Sequence, residues 1–496
     1  MKNERLSGIL LHITSLPGPY GIGTMGKEAF EFVDFLVLSG QKIWQILPLG
    51  HTGYGDSPYQ CFSAFAGNPL LIDLDKLIED GLLEESELPN NLVFNDDKVD
   101  FGQVFNYKFA VLRKAYERFK TSNNHLRQIQ FENFTKKTSF WLEDYAFFMA
   151  LKNHFGGKSW AQWERQVKTR EPEALTRYRQ HLADEIDFYC FLQFVFDHQW
   201  QELKSYANLN DIKIIGDIPL YVASDSADAW SNPEIFDFDK NLNPRTVAGV
   251  PPDYFSATGQ LWGNPIYKWD VLQHQGFSWW AERIKGNLIL YDILRIDHFR
   301  GLAAYWAVPF GEDTAIKGEW IKAPGKQLLE ALYKNLGELP IIAEDLGVIT
   351  PDVVELRDGF GLPGMKILQF AFDSGEENDF MPHTFVKNCV VYTGTHDNDT
   401  TLGQFKSVKD ADRQFMKDYF EVNEKDPAWS FIKLAWSTVA NLAIAPLQDL
   451  LRLDTEARMN FPGKASGYWQ WRYRKEMLKP QHAEELLKIT RLYGRR

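Results

Sequence analysis

Apolar residues in this chain gather in short, nearly continuous runs, each closing on a polar or Gly/Pro-rich turn. Runs bracketed in this way predict strands buried on both faces. Eight are read, at Gly8–Thr14, Lys42–Pro48, Ile212–Pro219, Ile293–Phe299, Leu339–Asp345, Met365–Phe370, Cys389–Thr395 and Leu442–Pro446. Between several of them, as at Gly26–Ser39 and Gly325–Leu336, apolar residues recur at spacings of three and four, which predicts helices. Eight strands with intervening helices fit an α/β (β/α)8 TIM barrel better than an open doubly wound sheet. No GxGxxG or Walker loop follows any strand, so the common nucleotide-binding folds drop out.

The spacing of the strands is uneven. Roughly 160 residues separate the second and third, far more than one crossover helix needs. Residues 50–211 carry aromatic, charged helical sequence (Phe105–Lys120, Phe140–Lys152, Ile186–Leu203) and read as an inserted, mostly helical subdomain. Residues 223–286, richer in Pro, Gly, Trp and Tyr, read as a loop-rich insertion between strands 3 and 4. Both follow the C-terminal ends of strands, where barrel active sites are built. The expectation is one catalytic barrel over residues 1–496, with no separate C-terminal β-sandwich.

Composition narrows the partners. Hydrophobic residues at 44 % and charged residues at 24 % are ordinary for a core-forming chain. A net charge of −13 argues against nucleic acid or an anionic membrane surface. Aromatics at 15 %, with 16 Trp, exceed what a core demands and suit stacking on sugar rings, although many must pack the insertions down. Three cysteines (Cys61, Cys190, Cys389) without a CxxC pair suit a reducing compartment. The first residues lack an apolar targeting core, and no apolar run approaches a membrane span, so a cytoplasmic location is expected.

Candidate chemistry lies where strands meet loops. In Leu294-Arg295-Ile296-Asp297-His298-Phe299-Arg300-Gly301, strand alternation puts Arg295 and Asp297 on one side. The guanidinium favours the ionised carboxylate, as a carboxylate nucleophile requires; a buried structural ion pair is the plain alternative. Three further strand ends carry acids: Asp217 after Ile214-Ile215-Gly216, Glu344-Asp345 after Ile341-Ile342-Ala343, and Asp397 in Gly394-Thr395-His396-Asp397-Asn398-Asp399. Asp217 and Asp345 could equally anchor neighbouring loops. Clustered carboxylates also suit Mg²⁺ or Ca²⁺, but Arg295 in their midst argues against a metal. Two carboxylates, one attacking and one donating a proton, are the apparatus for cleaving a glycosidic bond. Glu344, near other acids, is the expected proton donor with a raised pKa.

These motifs resemble the 4-α-glucanotransferases of glycoside hydrolase family 77, the amylomaltases or disproportionating enzymes of the α-amylase clan. The resemblance runs from Thr14-Ser15-Leu16-Pro17 to Arg458-Met459-Asn460 and rests on Gly55-Asp56-Ser57-Pro58-Tyr59-Gln60 together with the three acid-bearing motifs from Leu294, Ala343 and Gly394 onward. It implies Asp297 as nucleophile, Glu344 as general acid/base and Asp397 as the carboxylate that grips and distorts the donor sugar. It places Arg295, Asp217, His396 and His298 around that ring, Tyr59 stacked on it, Ser57 nearby, and Asn460 reaching in. It also implies a lid over the acceptor side, carrying Tyr254, Phe255, Trp262 and Asn264. No cofactor or metal is implied. Departures at Thr24-Met25, His51 and Phe461 touch none of the proposed catalytic residues.

A covalent glycosyl-enzyme is resolved by whatever attacks it. The Pro-rich aromatic loop at Val250–Trp262 is a device for excluding water and holding a sugar hydroxyl. The expected activity is therefore transfer of α-1,4-glucan segments from malto-oligosaccharide donors to the 4-OH of acceptor glucans. An α-glucan hydrolase and a non-catalytic glucan-binding protein are the alternatives. Carboxyls about 5–5.5 Å apart are expected for a retaining pair. Oligomeric state is left open.

Overall fold

The computed structural model describes residues 4–53, 55–89, 92–252, 256–464 and 466–495. Among the described residues, twelve strands fall in two sheets. Eight run parallel: β1 (Leu6–Leu10), β2 (Ile43–Gln45), β3 (Lys213–Ile218), β6 (Ile293–Ile296), β9 (Ile341–Ala343), β10 (Gly364–Ile367), β11 (Cys389–Tyr392) and β12 (Leu442–Pro446). The remaining four, β4 (Thr246–Val250), β5 (Gln260–Pro265), β7 (Ala304–Pro309) and β8 (Glu319–Lys322), make a small antiparallel sheet in the order β5-β4-β7-β8.

The parallel strands are ordered β10-β11-β12-β1-β2-β3-β6-β9, which is chain order around a circle. The circle is joined where Ala343 N–H donates to Pro363 O at 2.9 Å and Met365 N–H donates to the Asp345 carboxylate at 2.7 Å. The result is a (β/α)8 TIM barrel. Nearly every residue of these strands is buried, because the interior fills with side chains while helices cover the outside. Gly8 lets β1 and β2 approach so closely that a Cβ there would sit 2.2 Å from Ile43 O.

The strands are shorter than the apolar runs. The first run passes at Ile13–Ser15 into a 3-10 turn, and the sixth does so at Leu368–Phe370. Lys27–Leu38 forms the first outer helix, burying Ala29, Phe32, Val33 and Leu36 at helical spacing and ending at Ser39-Gly40, where Gly40 takes φ +71.

Between β2 and β3 lie three long helices, Phe101–Thr121, His125–His154 and Ala183–Leu209. The first two start on capping side chains: Asp100 accepts the Gln103 N–H and Asn124 accepts the Arg127 N–H. Phe119, Phe131, Phe191 and Phe194 interlock the three helices. The stretch 223–286 carries β4, β5 and the first part of helix Ser278–Leu290 as well as loops. Its two strands are Gly- and Pro-bearing and hide from a periodicity reading. They pair with each other, and β4 pairs with β7, which follows β6, so the small sheet stands beside the barrel mouth. No helix among the described residues is long and apolar enough to cross a membrane.

Candidate active site

The C-terminal ends of β3, β6, β9, β10 and β11 converge on one mouth. Asp217 and Arg295 are register partners on adjacent parallel strands, so their side chains emerge together. Arg295 Nη1 donates to Asp217 Oδ2 at 2.6 Å and to Asp297 Oδ1 at 3.0 Å, and its Nε points at Met365 Sδ, 3.3 Å away. Arg295 and Asp217 are buried at 3 % and 1 % exposure, whereas the Asp297 side chain keeps 28 %. The one carboxylate of this trio that a ligand can reach is therefore Asp297. Burial raises its pKa, with the Asp397 charge adding to the rise and Arg295 and His396 opposing it. The guanidinium thus works against desolvation rather than alone, which the sequence could not weigh. Asp217 is likewise pushed up by burial and pulled back by Arg295 and Tyr59.

Glu344 stands just past β9. Its Oε2 accepts the His298 backbone N–H at 2.6 Å and its Oε1 the Leu346 N–H at 2.9 Å. Burial, reinforced by the Asp297 charge and opposed by Arg295 and the two N–H groups, pushes its pKa up to about 8. It therefore keeps its proton to higher pH than an ordinary glutamate, beside an acid whose partner is an arginine. His298, which delivers the N–H, has the left-handed backbone at φ 55. Its ring meets the Trp262 face edge-on at 4.7 Å, and burial lowers its pKa to about 3.

On another side of the mouth, Tyr59 donates its hydroxyl proton to Asp217 Oδ2 at 2.8 Å and lies 2.9 Å from His396 Nε2. The two rings stack at 5.3 Å and 15°, and Trp469 packs against both. Asp397 follows His396 and keeps 41 % of its side chain exposed. Its Oδ1 accepts Asn460 Nδ2 at 2.6 Å, its Oδ2 lies 3.5 Å from His396 Nε2, and its carbonyl accepts Arg458 Nη2 at 2.7 Å. Ser57 Oγ accepts the Tyr59 N–H at 3.2 Å, fixing the turn that presents Tyr59.

Asp297, Arg295, Asp217, Tyr59, His396, Asp397 and Asn460 are joined in one network of hydrogen bonds, ion pairs and ring contacts; Glu344 and His298 share a hydrogen bond and meet it through the Asp297–His298 peptide, and Trp262 borders it through His298. Asn264 is turned elsewhere: its amide is taken by Val222 O at 2.8 Å and by Gln60. Tyr254 and Phe255 lie outside the described residues. Asp345 points away from the mouth, into the β9–β10 junction, bonded to Met365 N–H and Arg357. Sequence reasoning missed Trp469, Arg458 and Met365, which reach the site from distant segments. Among the described residues no three His, Cys, Asp or Glu side chains form a group that could hold a metal ion.

Comparison with known proteins places the chain in a family. A family model described as 4-alpha-glucanotransferase, glycoside hydrolase family 77, matches residues 11–478. The 4-alpha-glucanotransferase of Synechocystis sp. is 52 % identical over 500 residues, covering 100 % of this chain and 99 % of that protein. The enzyme of the same name from Thermus thermophilus is 49 % identical, covering 98 % of each. The structure of the amylomaltase from Streptococcus agalactiae in complex with acarbose matches at TM-score 0.96 and 43 % identity, over 99 % of this chain and 100 % of that one. An amylomaltase from Corynebacterium glutamicum, 18 % identical, shares the fold at TM-score 0.78 over 99 % of this chain and 75 % of that one.

Proposed function

This chain belongs to the 4-alpha-glucanotransferase family, glycoside hydrolase family 77, and is an enzyme of that type; on that footing we propose that it transfers α-1,4-glucan segments by a retaining double displacement. Asp297 attacks the anomeric carbon of the donor while Glu344 gives its proton to the glycosidic oxygen, and the trimmed glucan leaves with a free 4-OH. In the second step Glu344, now a carboxylate, takes the proton from the 4-OH of an acceptor glucan. That oxygen attacks the anomeric carbon and releases Asp297.

The observation that carries this reading is the division of labour among neighbouring acids. Arg295 ties down Asp217 and steadies Asp297, while Glu344, buried on the His298 and Leu346 N–H groups, is held towards its protonated form. Asp397, exposed and held by Asn460 and Arg458, is placed to grip donor hydroxyls and distort the ring. The Tyr59–His396 stack offers an apolar face with hydrogen-bonding edges beside it. Residues 50–211 and 223–286 act as insertions that wall the mouth, contributing Tyr59 and Trp262. Transfer prevails over hydrolysis when an acceptor is held in place, because effective molarities of oriented groups reach ~10⁵ M or more against about 55 M water.

Incubation with maltotriose tests the reading. Transfer yields glucose and longer oligosaccharides with no net rise in reducing ends. A steady rise in reducing ends would make the protein a hydrolase, and unchanged maltotriose would make it a binder. Acarbose, bound in the Streptococcus agalactiae structure, is the natural competitor to include.

A further inference from the structure

One face of the small sheet has a core of its own. Val247, Val308 and Ala315 are buried there together, apart from the barrel's core, with Trp306 packed on them. Ala315 comes from residues 311–318, in the connection between β7 and β8. Its N–H donates to Thr258 O at 3.1 Å, and its carbonyl accepts Trp306 Nε1 at 2.8 Å. Both contacts are tight. Gly259, at φ +68, would put a Cβ 2.9 Å from Ala315 Cβ, and a Cβ at Gly318 would lie 2.2 Å from Trp306 Nε1. The β7–β8 connection thus straps the β4–β5 hairpin, the element that carries Trp262.

The contacts run on from Trp306 towards the proton donor. Trp306 is the register partner of Trp320, and the two rings meet edge to face at 5.3 Å. Trp320 keeps 40 % exposure on β8 and carries the Arg300 guanidinium over its ring at 3.8 Å. Arg300 is buried, three residues past Asp297. Its Nη1 donates at 2.8 Å to the carbonyl of Val348, four residues past Glu344. With Arg300 Nε unpartnered among the described residues, stacking on the indole takes a larger share in fixing the guanidinium. From Thr258 through Ala315, Trp306, Trp320 and Arg300 to Val348, each group touches the next.

We infer that this chain of contacts is a brace, setting the β4–β5 hairpin against the loop that carries Glu344, and that Trp306 and Trp320 are positioning residues within it. They act through Trp262 at one end and Glu344 at the other. Close-packed side chains in contact shift together rather than singly, so the cover and the proton donor keep one relative placement. The inference rests on the proposed transfer reaction, in which the hairpin keeps water from the glycosyl-enzyme.

The test follows maltotriose products from wild type, Trp306→Phe, Trp320→Ala, Trp320→Phe and the double variant Trp306→Phe/Trp320→Ala. Trp306→Phe loses the N–H donated to Ala315, and Trp320→Ala loses the ring beneath Arg300. In each, the ratio of hydrolysis to transfer should rise about threefold or more, with maltotriose consumption within about twofold of wild type. Trp320→Phe keeps a flat ring under the guanidinium and should restore most of the ratio. Because both residues serve one brace, the double variant should match the larger single effect rather than their product. An unchanged ratio in either single variant, or effects that multiply in the double, overturns the inference.

Amide hydrogen exchange gives a second measurement that needs no turnover. Trp306→Phe should speed exchange in peptides covering Ser256–Pro265 and also, at the far end of the chain of contacts, in those covering Leu346–Thr350. Faster exchange in the first alone, or in neither, overturns the inference. Should Trp320→Ala fail to fold, Arg300→Lys, which keeps the charge without the plane, takes its place. A wild type that makes no longer oligosaccharides refutes the transfer reading instead, and the exchange rates still decide the brace.

Discussion

The carboxylate of Glu344 rests on the backbone N–H of His298, 2.6 Å away, and His298 is the residue after Asp297. The two acids of the proposed displacement are therefore set relative to each other by one peptide rather than by long side chains. Backbone placement of this kind keeps a reacting pair within the tolerance that retaining chemistry needs.

The first prediction concerns pH. Burial raises both acids, Asp297 in direction and Glu344 to about 8. A group with a raised pKa keeps its proton to higher pH. Glu344 should thus stay a competent donor until pH climbs through about 8, and Asp297 should lose nucleophilicity at a pH above the ordinary aspartate range. The profile of kcat/KM for maltotriose should be bell-shaped, and Glu344→Gln should abolish its basic limb and cost about 10²- to 10⁴-fold in rate.

Asp297→Asn should remove covalent catalysis altogether. Incubating wild type with a slow fluorinated glucosyl donor and digesting it should yield a glycosylated peptide containing Asp297, seen by mass spectrometry. Label on any other residue, or an Asp297→Asn protein with normal turnover, would reassign the nucleophile.

Arg295→Met leaves Asp217 buried without its ion partner. Breaking a buried pair in this way costs about 3–5 kcal/mol, so the urea midpoint should drop sharply. Asp217→Asn keeps a hydrogen-bonding group against Arg295 and should cost less.

Trp262 borders the mouth through its ring contact with His298. Trp262→Ala should open that side to solvent and raise the ratio of hydrolysis to transfer several-fold, read as new reducing ends per longer oligosaccharide. An unchanged ratio would place water exclusion elsewhere.

Gly364→Ala tests the barrel junction. A Cβ at Gly364 would lie 2.3 Å from Asp345 Oδ2, and overpacking of this kind costs about 1–3 kcal/mol. The melting temperature should fall, and the Arg357–Asp345 pair should be displaced.

The eight barrel strands were legible because strands buried on both faces are written as unbroken apolar runs, and the acids were legible because they end those runs. Asp217, Asp297, Glu344 and Asp397 needed only that rule to be placed at one mouth. The overrun of the first strand has a local cause: Ile13-Thr14-Ser15 carries on from the apolar run and is buried like a strand, but it winds into a 3-10 turn. Trp469, Arg458 and Met365 were not legible, since nothing local to them marks a side chain that reaches across the mouth. Asp345 and Glu344 look alike in sequence; what separates them is the direction each faces once the chain leaves β9.

That difference in direction has a thermal corollary. Glu344 and Asp345 are consecutive, the first aimed into the mouth and the second stitching together the β9–β10 junction that closes the cylinder. A stitch that slackens on warming unseats the proton donor while most of the cylinder is still standing. Turnover should fade several degrees before the helical signal does, and the enzyme should recover its full rate on cooling from that interval.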